Sequence, residues 1–253
     1  MKEFISVLGG LSEKTFAPYG IFQISWIVLT AICAIFAFKL CYKKHVRRYH
    51  LSCGIAMLIT TFYRIFILSF KSGNFVFDLK NLPVTVFDIL AFTILLSGIF
   101  TKGKLHVILS SFNASFGFFI GVFVLLFPSV TESQFIGIAV QEKLNALLTT
   151  LIGVINLKCY SKTFKVFDFL MSASIFIGIF AIIETGEILF SLFSINFPCF
   201  FSHYFSPSLM VFSHLSNAFP HPVASFILAL LFAELSAGVY YTAYRLSTKK
   251  KRY

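Results

Sequence analysis

The feature that most constrains this chain is a series of seven apolar segments, each close to the length of a membrane-crossing helix. Such a helix needs roughly 20 mostly apolar residues. The segments cover residues 20–42, 51–70, 83–100, 105–127, 140–157, 166–190 and 222–244. Hydrophobic residues make up 58% of the chain and charged residues only 12%, whereas about a quarter of a soluble domain is charged. The sequence therefore predicts an integral membrane protein.

The placement of Lys and Arg predicts how the segments are oriented, because cytoplasmic loops carry an excess of both residues. With the N-terminus outside, the connections on the inner side hold fifteen of the 21 basic residues. These are Lys39, Lys43, Lys44, Arg47, Arg48, Lys102, Lys104, Lys158, Lys162, Lys165, Arg245, Lys249, Lys250, Lys251 and Arg252. The outer side holds Lys2, Lys14, Lys71, Lys80 and Lys143. Without the fifth segment, which has the weakest pattern, the Lys-rich C-terminus would face outward.

The predicted fold class is all-α. We expect a polytopic protein of the cell membrane in which residues 1–253 form a single transmembrane domain. That domain is a seven-helix bundle with the N-terminus outside and the C-terminus in the cytoplasm.

Several polar side chains are predicted to lie at one depth within the bilayer. An ionisable group near the centre of a span costs at least about 2.5 kcal/mol, so it usually faces an interior cavity and a partner. Arg64 lies about 9 Å from the outer end of its span, and Asp88 lies about 7.5 Å from the outer end of the next one. The complete candidate polar pocket consists of Arg64, Thr85, Asp88, Asn145, Glu184 and Glu187.

The sharpest form of this hypothesis is that Arg64 contacts Asp88 and at least one of Glu184 and Glu187. The alternative is a purely structural pair between Arg64 and one acid, with Glu187 reaching the interface. Glu234 is a separate case. It lies near the middle of the seventh span, where it would need a partner of its own or a proton.

The sequence predicts no catalytic residues, no metal and no cofactor. The five cysteines have no paired spacing, and no nucleotide or metal motif is present. A net charge of +11 could indicate nucleic acid in a soluble protein. Here the charge belongs to membrane loops, so we expect no nucleic-acid partner. The expected partners are membrane lipids and a small-molecule ligand.

Four stretches of the chain resemble the YwaF-type integral membrane proteins, which are related to the eukaryotic TMEM acyltransferases. The residues Leu82 to Ile89, LPVTVFDI, are similar to the LPxHxCDI-type opening of one family helix. Ser111 to Pro128 resembles a Gly-rich helix that ends in proline, and the fifth span stands where the family has a histidine-bearing helix. Phe219 to Pro222, ahead of Glu234, is similar to the family's GPWPxY-type entry to the last helix.

The resemblance implies a seven-span fold and a polar pocket near lipid, but the chemical groups of the family motif are missing. In the eukaryotic relatives the motif cysteine is proposed to carry an acyl group, with histidine as the base. Here Phe87 stands at the cysteine position and Thr85 at the histidine position, and the fifth span offers Asn145. Acyl transfer needs a thiolate beside a base. We therefore expect no acyl transfer through cysteine.

Three functions remain open from the sequence. They are the two described below, of which the first is preferred, and a structural or assembly role without a ligand. The first is the handling of a lipid or small amphiphile in an outer-facing polar pocket. The second is transport or binding of a small solute or cation, with the intramembrane acids as its site. Against transport, the sequence shows no half-to-half repeat and no pair of Gly/Pro-broken helices.

Overall fold

A computed structural model of the chain describes residues 20–71, 74–75, 85–126, 136–160 and 163–192, with residues 227, 231, 234–236, 238 and 241–242 near the C-terminus. Its elements are α1 (Ile21–Leu40), a 3-10 helix (Lys43–His45), α2 (Val46–Ser69), β1 (Phe70–Lys71), β2 (Asn74–Phe75), α3 (Val86–Ile99), α4 (Gly103–Phe112), a π-helical segment (Asn113–Gly117), α5 (Phe118–Leu126), α6 (Ile136–Tyr160) and α7 (Val166–Leu192). β1 and β2 form a short antiparallel ladder with Phe70 opposite Phe75. The described residues of the predicted seventh span are helical.

The all-α class is confirmed, and four helical stretches are long and apolar enough to cross a membrane. These stretches are Ile21–Leu40, Lys43–Ser69, Gly103–Leu126 and Ile136–Tyr160. The apolar helices Val86–Ile99 and Phe167–Ile179 are shorter. The structure therefore supports a membrane protein, while the count of seven spans stays a prediction.

Two helices extend beyond the predicted spans by more than two residues. The second helical stretch begins at Lys43 instead of residue 51, so Arg47 and Arg48 lie on a helix. The fifth predicted span, 140–157, is part of a helix of 25 residues. Hydropathy marks only the part of a helix that lies in hydrocarbon, and a helix can continue into the interface.

Several residues used in the sequence argument lie outside the described residues. These are Lys2, Lys14, Lys80, Lys162, the motif residues 82–84, residues 219–222, and the basic residues 245 and 249–252.

Close helix packing in the bundle depends on glycines at the contact points. On α2 and α3, a Cβ added at Gly54 would lie 2.9 Å from Leu95 Cα, and one at Gly98 would lie 3.0 Å from the Leu51 nitrogen. On α5, a Cβ at Gly121 would lie 2.7 Å from the Ala146 carbonyl oxygen of α6. Small residues let transmembrane helices approach closely. The α2–α3 and α5–α6 pairs are therefore the tightest contacts that the structure documents in this way.

Helix α1 lies at the edge of the bundle with most of its apolar side chains exposed, among them Ile21, Val28 and Ile35. In a bilayer this surface would contact lipid. Two polar contacts tie the ends of α1 to the bundle. Gln23 donates to the carbonyl of Leu125, and Lys158 Nζ donates to the carbonyl of Lys39 at 3.1 Å.

The helix directions bring the described basic connections to one end of the bundle, which we call the basic end. The contacts of His50 with both Ser97 and Asn156 place the start of α2 beside the ends of α3 and α6. The basic end carries Lys39, Lys43, Lys44, Arg47, Arg48, Lys102, Lys104, Lys158 and Lys165. All of these side chains are exposed except Lys158, which is half-buried.

Candidate functional site

A group of polar side chains from α2, α3 and α6 lies toward the end of the bundle opposite the basic end. We call it the Arg64 cluster. It consists of Thr60, Thr61, Arg64, Thr85, Asp88, Glu142 and Asn145.

The Asp88 carboxylate is the most highly coordinated group in the cluster. Its Oδ2 accepts hydrogen bonds from Arg64 Nη2 at 2.9 Å, from the Thr85 backbone nitrogen at 2.9 Å and from Thr85 Oγ1 at 2.5 Å. Its Oδ1 accepts a hydrogen bond from Thr61 Oγ1 at 2.5 Å. Thr85 and Asp88 also form a capping box at the start of α3, which satisfies backbone groups that a helix end leaves free. Asp88 is thus fully occupied within the protein.

Arg64 supplies the positive charge that balances Asp88. Its side chain is 9% exposed and that of Asp88 is 1% exposed. Among the described residues, Arg64 Nε has no hydrogen-bond partner. A buried donor without a partner costs free energy, about 1–3 kcal/mol and more for a charged group. Arg64 therefore retains a free donor after it pairs with Asp88.

Helix α6 contributes two further side chains with free hydrogen-bonding atoms. Asn145 is fully buried and its Oδ1 accepts from Thr60 Oγ1 at 2.9 Å. Its Nδ2 has no partner in the described part of the chain, and the same is true of Glu142 Oε2. Glu142 also lies within electrostatic range of both Arg64 and Lys143. The free atoms of the cluster thus include two N–H donors and one carboxylate oxygen.

The neighbouring Lys143 has a structural role that the sequence argument missed. The sequence assigns it to the outer side of the membrane, and the structure places it within α6, where it is 1% exposed. Its Nζ donates to the Val124 carbonyl at 2.9 Å. Gln23 donates to the next carbonyl, that of Leu125. Both carbonyls belong to the last turn of α5, where helix carbonyls lack helical partners and a cation is favourable.

The structure brings together most, but not all, of the predicted pocket. The predicted contact between Arg64 and Asp88 is present, with Thr85 on the same carboxylate. Asn145 joins the same group through Thr60. Glu184 and Glu187 belong to α7, but their side chains fall outside the described part of the structure, so their contact with Arg64 stays a prediction.

Glu234, which is predicted to need a partner of its own or a proton, lies on the outer surface of the described structure. Its side chain is exposed on the described structure, whereas Ser236, two residues further on, is buried at 3% exposure. A helix turns about 200° over two residues. Glu234 therefore points away from the bundle while Ser236 points into it.

Glu142 is a site residue that the sequence argument overlooked, although a signal for it existed. Glu142, Asn145, Thr149 and Asn156 are spaced i, i+3, i+7 and i+14, which places them on one face of a helix. Because the predicted span begins at residue 140, Glu142 lies near the outer end of that span, where a charged residue is common. The structure places the residue well inside α6.

A second polar group, which we call the His50 cluster, lies nearer the basic end. It consists of His50, Thr93, Ser97, Asn113 and Asn156. His50 is 0% exposed, and its ring nitrogens lie 2.9 Å from Asn156 Oδ1 and 3.2 Å from Ser97 Oγ. Asn113, the first residue of the π-helical segment, donates to Ser97 Oγ at 3.4 Å and accepts from Thr93 Oγ1 at 2.8 Å. Asn156 Nδ2 has no partner among the described residues.

The hydroxyl groups of the His50 cluster also hydrogen-bond within their own helix. Ser97 Oγ donates to the Ile94 carbonyl at 2.8 Å, and Thr93 Oγ1, besides its contact with Asn113, donates to the Leu90 carbonyl at 3.0 Å. A hydroxyl has one proton to donate, so the contact of Ser97 Oγ with His50 Nδ1 competes with the bond to Ile94.

Within the described residues, no three or more His, Cys, Asp or Glu side chains lie together as metal ligands. Comparisons of the chain with protein-family models, curated proteins and solved structures give no match. Function therefore has to be argued from the site itself.

Proposed function

We propose that this chain is a YwaF-like multi-pass protein of the cell membrane whose Arg64 cluster binds the polar head of a lipid or small amphiphile. In this proposal the bundle has seven spans, the N-terminus lies outside and the basic end faces the cytoplasm. The Arg64 cluster then lies at the depth of the outer leaflet. Binding proceeds without acyl transfer through cysteine.

The observation that carries the proposal is the pair of unpartnered, buried donors Arg64 Nε and Asn145 Nδ2. Arg64 lies one helical turn from Thr60, which bonds Asn145, so the two donors belong to one part of the cluster. Buried donors are almost always paired, and exceptions call for an explanation such as a missing ligand or water. The acceptor oxygens of a lipid head, whether phosphate, carboxylate or ester, match these donors.

The basic end supports the proposed orientation, because Lys and Arg accumulate on the cytoplasmic side of membrane proteins. Phe87 supports the absence of thioester chemistry. It is 2% exposed and belongs to the apolar core, so the motif position that would hold a thiol is filled by a packed ring.

The test is native mass spectrometry of the protein purified in mild detergent, comparing Asn145→Ala with Asn156→Ala. The two asparagines are matched: both are fully buried on α6, both have a bonded Oδ1, and both have an unpartnered Nδ2. We expect wild type and Asn156→Ala to retain a bound amphiphile that Asn145→Ala has lost. Equal retention in all three proteins, or no bound amphiphile in the wild type, would overturn the proposal.

Transport or binding of a small solute or cation is the second candidate, and Glu142 is the observation in its favour. Its free Oε2 is a carboxylate acceptor beside charged neighbours, which suits a cationic group better than a lipid phosphate. Solute uptake into proteoliposomes that falls in Glu142→Gln would favour this candidate.

A further inference from the structure

The Arg64 and His50 clusters are separated along every helix that they share. On α3, Asp88 lies five residues from Thr93 and nine residues from Ser97, or about 7.5 Å and 13.5 Å at the rise of an α-helix. On α6, Asn145 and Asn156 are eleven residues apart, or about 16.5 Å. Thr61 and His50 have that same separation on α2. The clusters are thus two layers at different depths in one bundle.

Fully buried apolar side chains, which we call the apolar layer, lie between the two clusters. Its members are Met57, Leu90, Ala91, Ile94 and Ile152, and each is 0% exposed. They come from α2, α3 and α6, the same helices that supply both clusters. Thr149 and Thr150 of α6 are buried at the same level, and their hydroxyls are bonded to carbonyls of their own helix. No hydrogen bond between described residues joins one cluster to the other. Hydrogen bonding between the two clusters is therefore interrupted at the apolar layer.

Both clusters end in buried polar atoms that need a partner from outside the described protein. These atoms are Asn145 Nδ2 in one cluster and Asn156 Nδ2 in the other, each on a residue that is 0% exposed. Ordered water is the usual partner of such groups in protein interiors. If water bonds these atoms at both layers, the apolar side chains between them form a hydrophobic constriction of the kind that closes pores.

The π-helical segment packs directly on the apolar layer. A Cβ at Gly117 would lie 3.3 Å from Leu90 Cδ2, and Asn113 at the other end of the segment belongs to the His50 cluster. π-Helical turns inside α-helices occur frequently at functional sites. The π-helical segment therefore contacts both the His50 cluster and the apolar layer.

We propose that the two clusters are the halves of one pathway across the bundle for a small uncharged solute rich in hydrogen-bonding groups, with the apolar layer as its gate. The solute class follows from the His50 cluster, which offers hydroxyl, amide and imidazole groups and no carboxylate or fixed cation. Water is the smallest solute of this class. The pathway goes beyond ligand binding at the Arg64 cluster, and it uses Asn145 Nδ2 when no lipid head is bound there.

The experiment measures the osmotic water permeability of proteoliposomes by stopped-flow light scattering. Leu90→Ser places a hydroxyl in the apolar layer, and Phe92→Ser is the matched control on the same helix, because Phe92 is 47% exposed. We expect wild type and Phe92→Ser to have the same low water permeability, and Leu90→Ser to have a several-fold higher one. Equal permeability of the two variants would overturn the proposal.

A double variant tests whether the leak follows the proposed path. Leu90→Ser combined with Asn156→Leu should return to the low permeability of the wild type, because the bulky apolar side chain closes the His50 cluster. A double variant as permeable as Leu90→Ser would also overturn the proposal. If Leu90→Ser does not fold, Ile94→Thr tests the same layer with a side chain of similar shape. Lipid retention in the same preparations reports separately on the proposed function.

Discussion

At the scale of single residues, Asp88 combines two roles that are usually separate. It caps α3 through Thr85, and it is the counter-ion of Arg64. The capping role needs only an acceptor oxygen, whereas the pairing with Arg64 needs a negative charge, and both roles are performed by a buried side chain. Removing ions from water costs several kcal/mol per ion, so such a pair is stable only with good geometry and additional hydrogen bonds. The four hydrogen bonds on Asp88 meet that requirement.

Arg64→Ala should therefore destabilise the folded protein strongly. Loss of one partner from a buried ion pair costs about 3–5 kcal/mol, because the other charge is left without compensation. The measurement is thermal unfolding in detergent, with Arg48→Ala as the control, since Arg48 lies on the same helix and is exposed at the basic end. Adding Asp88→Asn to Arg64→Ala should recover part of the loss. A small effect of Arg64→Ala, or no recovery, would contradict the ion-pair account.

The meeting of Arg64 and Asp88 could be predicted from depth alone, because both residues lie a similar distance from the same ends of adjacent spans. The number of hydrogen bonds that the Asp88 carboxylate accepts could not be predicted in this way. It depends on Thr61, a helical turn from Arg64, and on the turn at Thr85, where the chain enters α3. For that reason the donors that remain without a partner are on Arg64 and Asn145, while the Asp88 carboxylate is already bonded within the protein.

At the scale of helices, the fit between α5 and α6 limits what each position can hold. Phe118 and Gly121 of α5 lie against Gly153 and Thr150 of α6. A Cβ at Gly153 would lie 2.9 Å from Phe118 Cα, closer than real Cβ contacts allow. Dispersion between closely packed helices is a main source of their association in lipid. The glycines are therefore needed for the approach of the two backbones.

Gly121→Ala should destabilise the protein by about 1–3 kcal/mol, the usual cost of overpacking a close-packed site. The added methyl group would meet the Ala146 carbonyl oxygen at 2.7 Å and the Thr150 nitrogen at 2.9 Å. Gly178→Ala on α7 is the matched control, because nothing lies within 4 Å of its Cβ position. It should be neutral or stabilising, since alanine favours helices. Thermal unfolding of both variants measures the difference, and equal midpoints would refute the packing account.

The existence of most helices could be predicted from the sequence, because long apolar segments in lipid must satisfy their backbone groups internally. Their ends were less predictable. The fifth predicted span begins at residue 140, whereas α6 begins at Ile136, so the polar Gln141–Glu142–Lys143 stretch lies well inside the helix. There α5 supplies a carbonyl oxygen for Lys143. Tertiary partners made a buried lysine acceptable within a helix.

At the scale of the whole molecule, the basic end gives the bundle a strong polarity. Nine described Lys and Arg residues lie there. Toward the opposite end the structure describes three, Arg64, Lys143 and Lys71 of β1, of which Arg64 and Lys143 are buried and hydrogen-bonded within the protein. The proposed orientation follows from this asymmetry.

Cysteine labelling in intact cells checks the orientation. In a variant without the five native cysteines, a membrane-impermeant maleimide should modify Ser12→Cys and leave Thr101→Cys unmodified. Thr101 is exposed at the basic end between α3 and α4, which makes it a sensitive reporter for that side. Permeabilising the cells should make Thr101→Cys reactive. The reverse pattern in intact cells would show that the basic end faces outward.

The sequence by itself determined the membrane class, the helical elements and the clustering of basic residues in the connections. Each of these depends on a local sum, in which every residue adds its own preference for hydrocarbon or water along a short stretch of chain. The tertiary structure alone decided which polar groups are saturated and which remain free. His50 and Asn156 are 106 residues apart in the chain, and their contact depends on how α2 and α6 are rotated and paired. The same rotation places the apolar layer between the two clusters. The sequence could not predict this layer, because hydropathy records how apolar a segment is but not which of its side chains face one another.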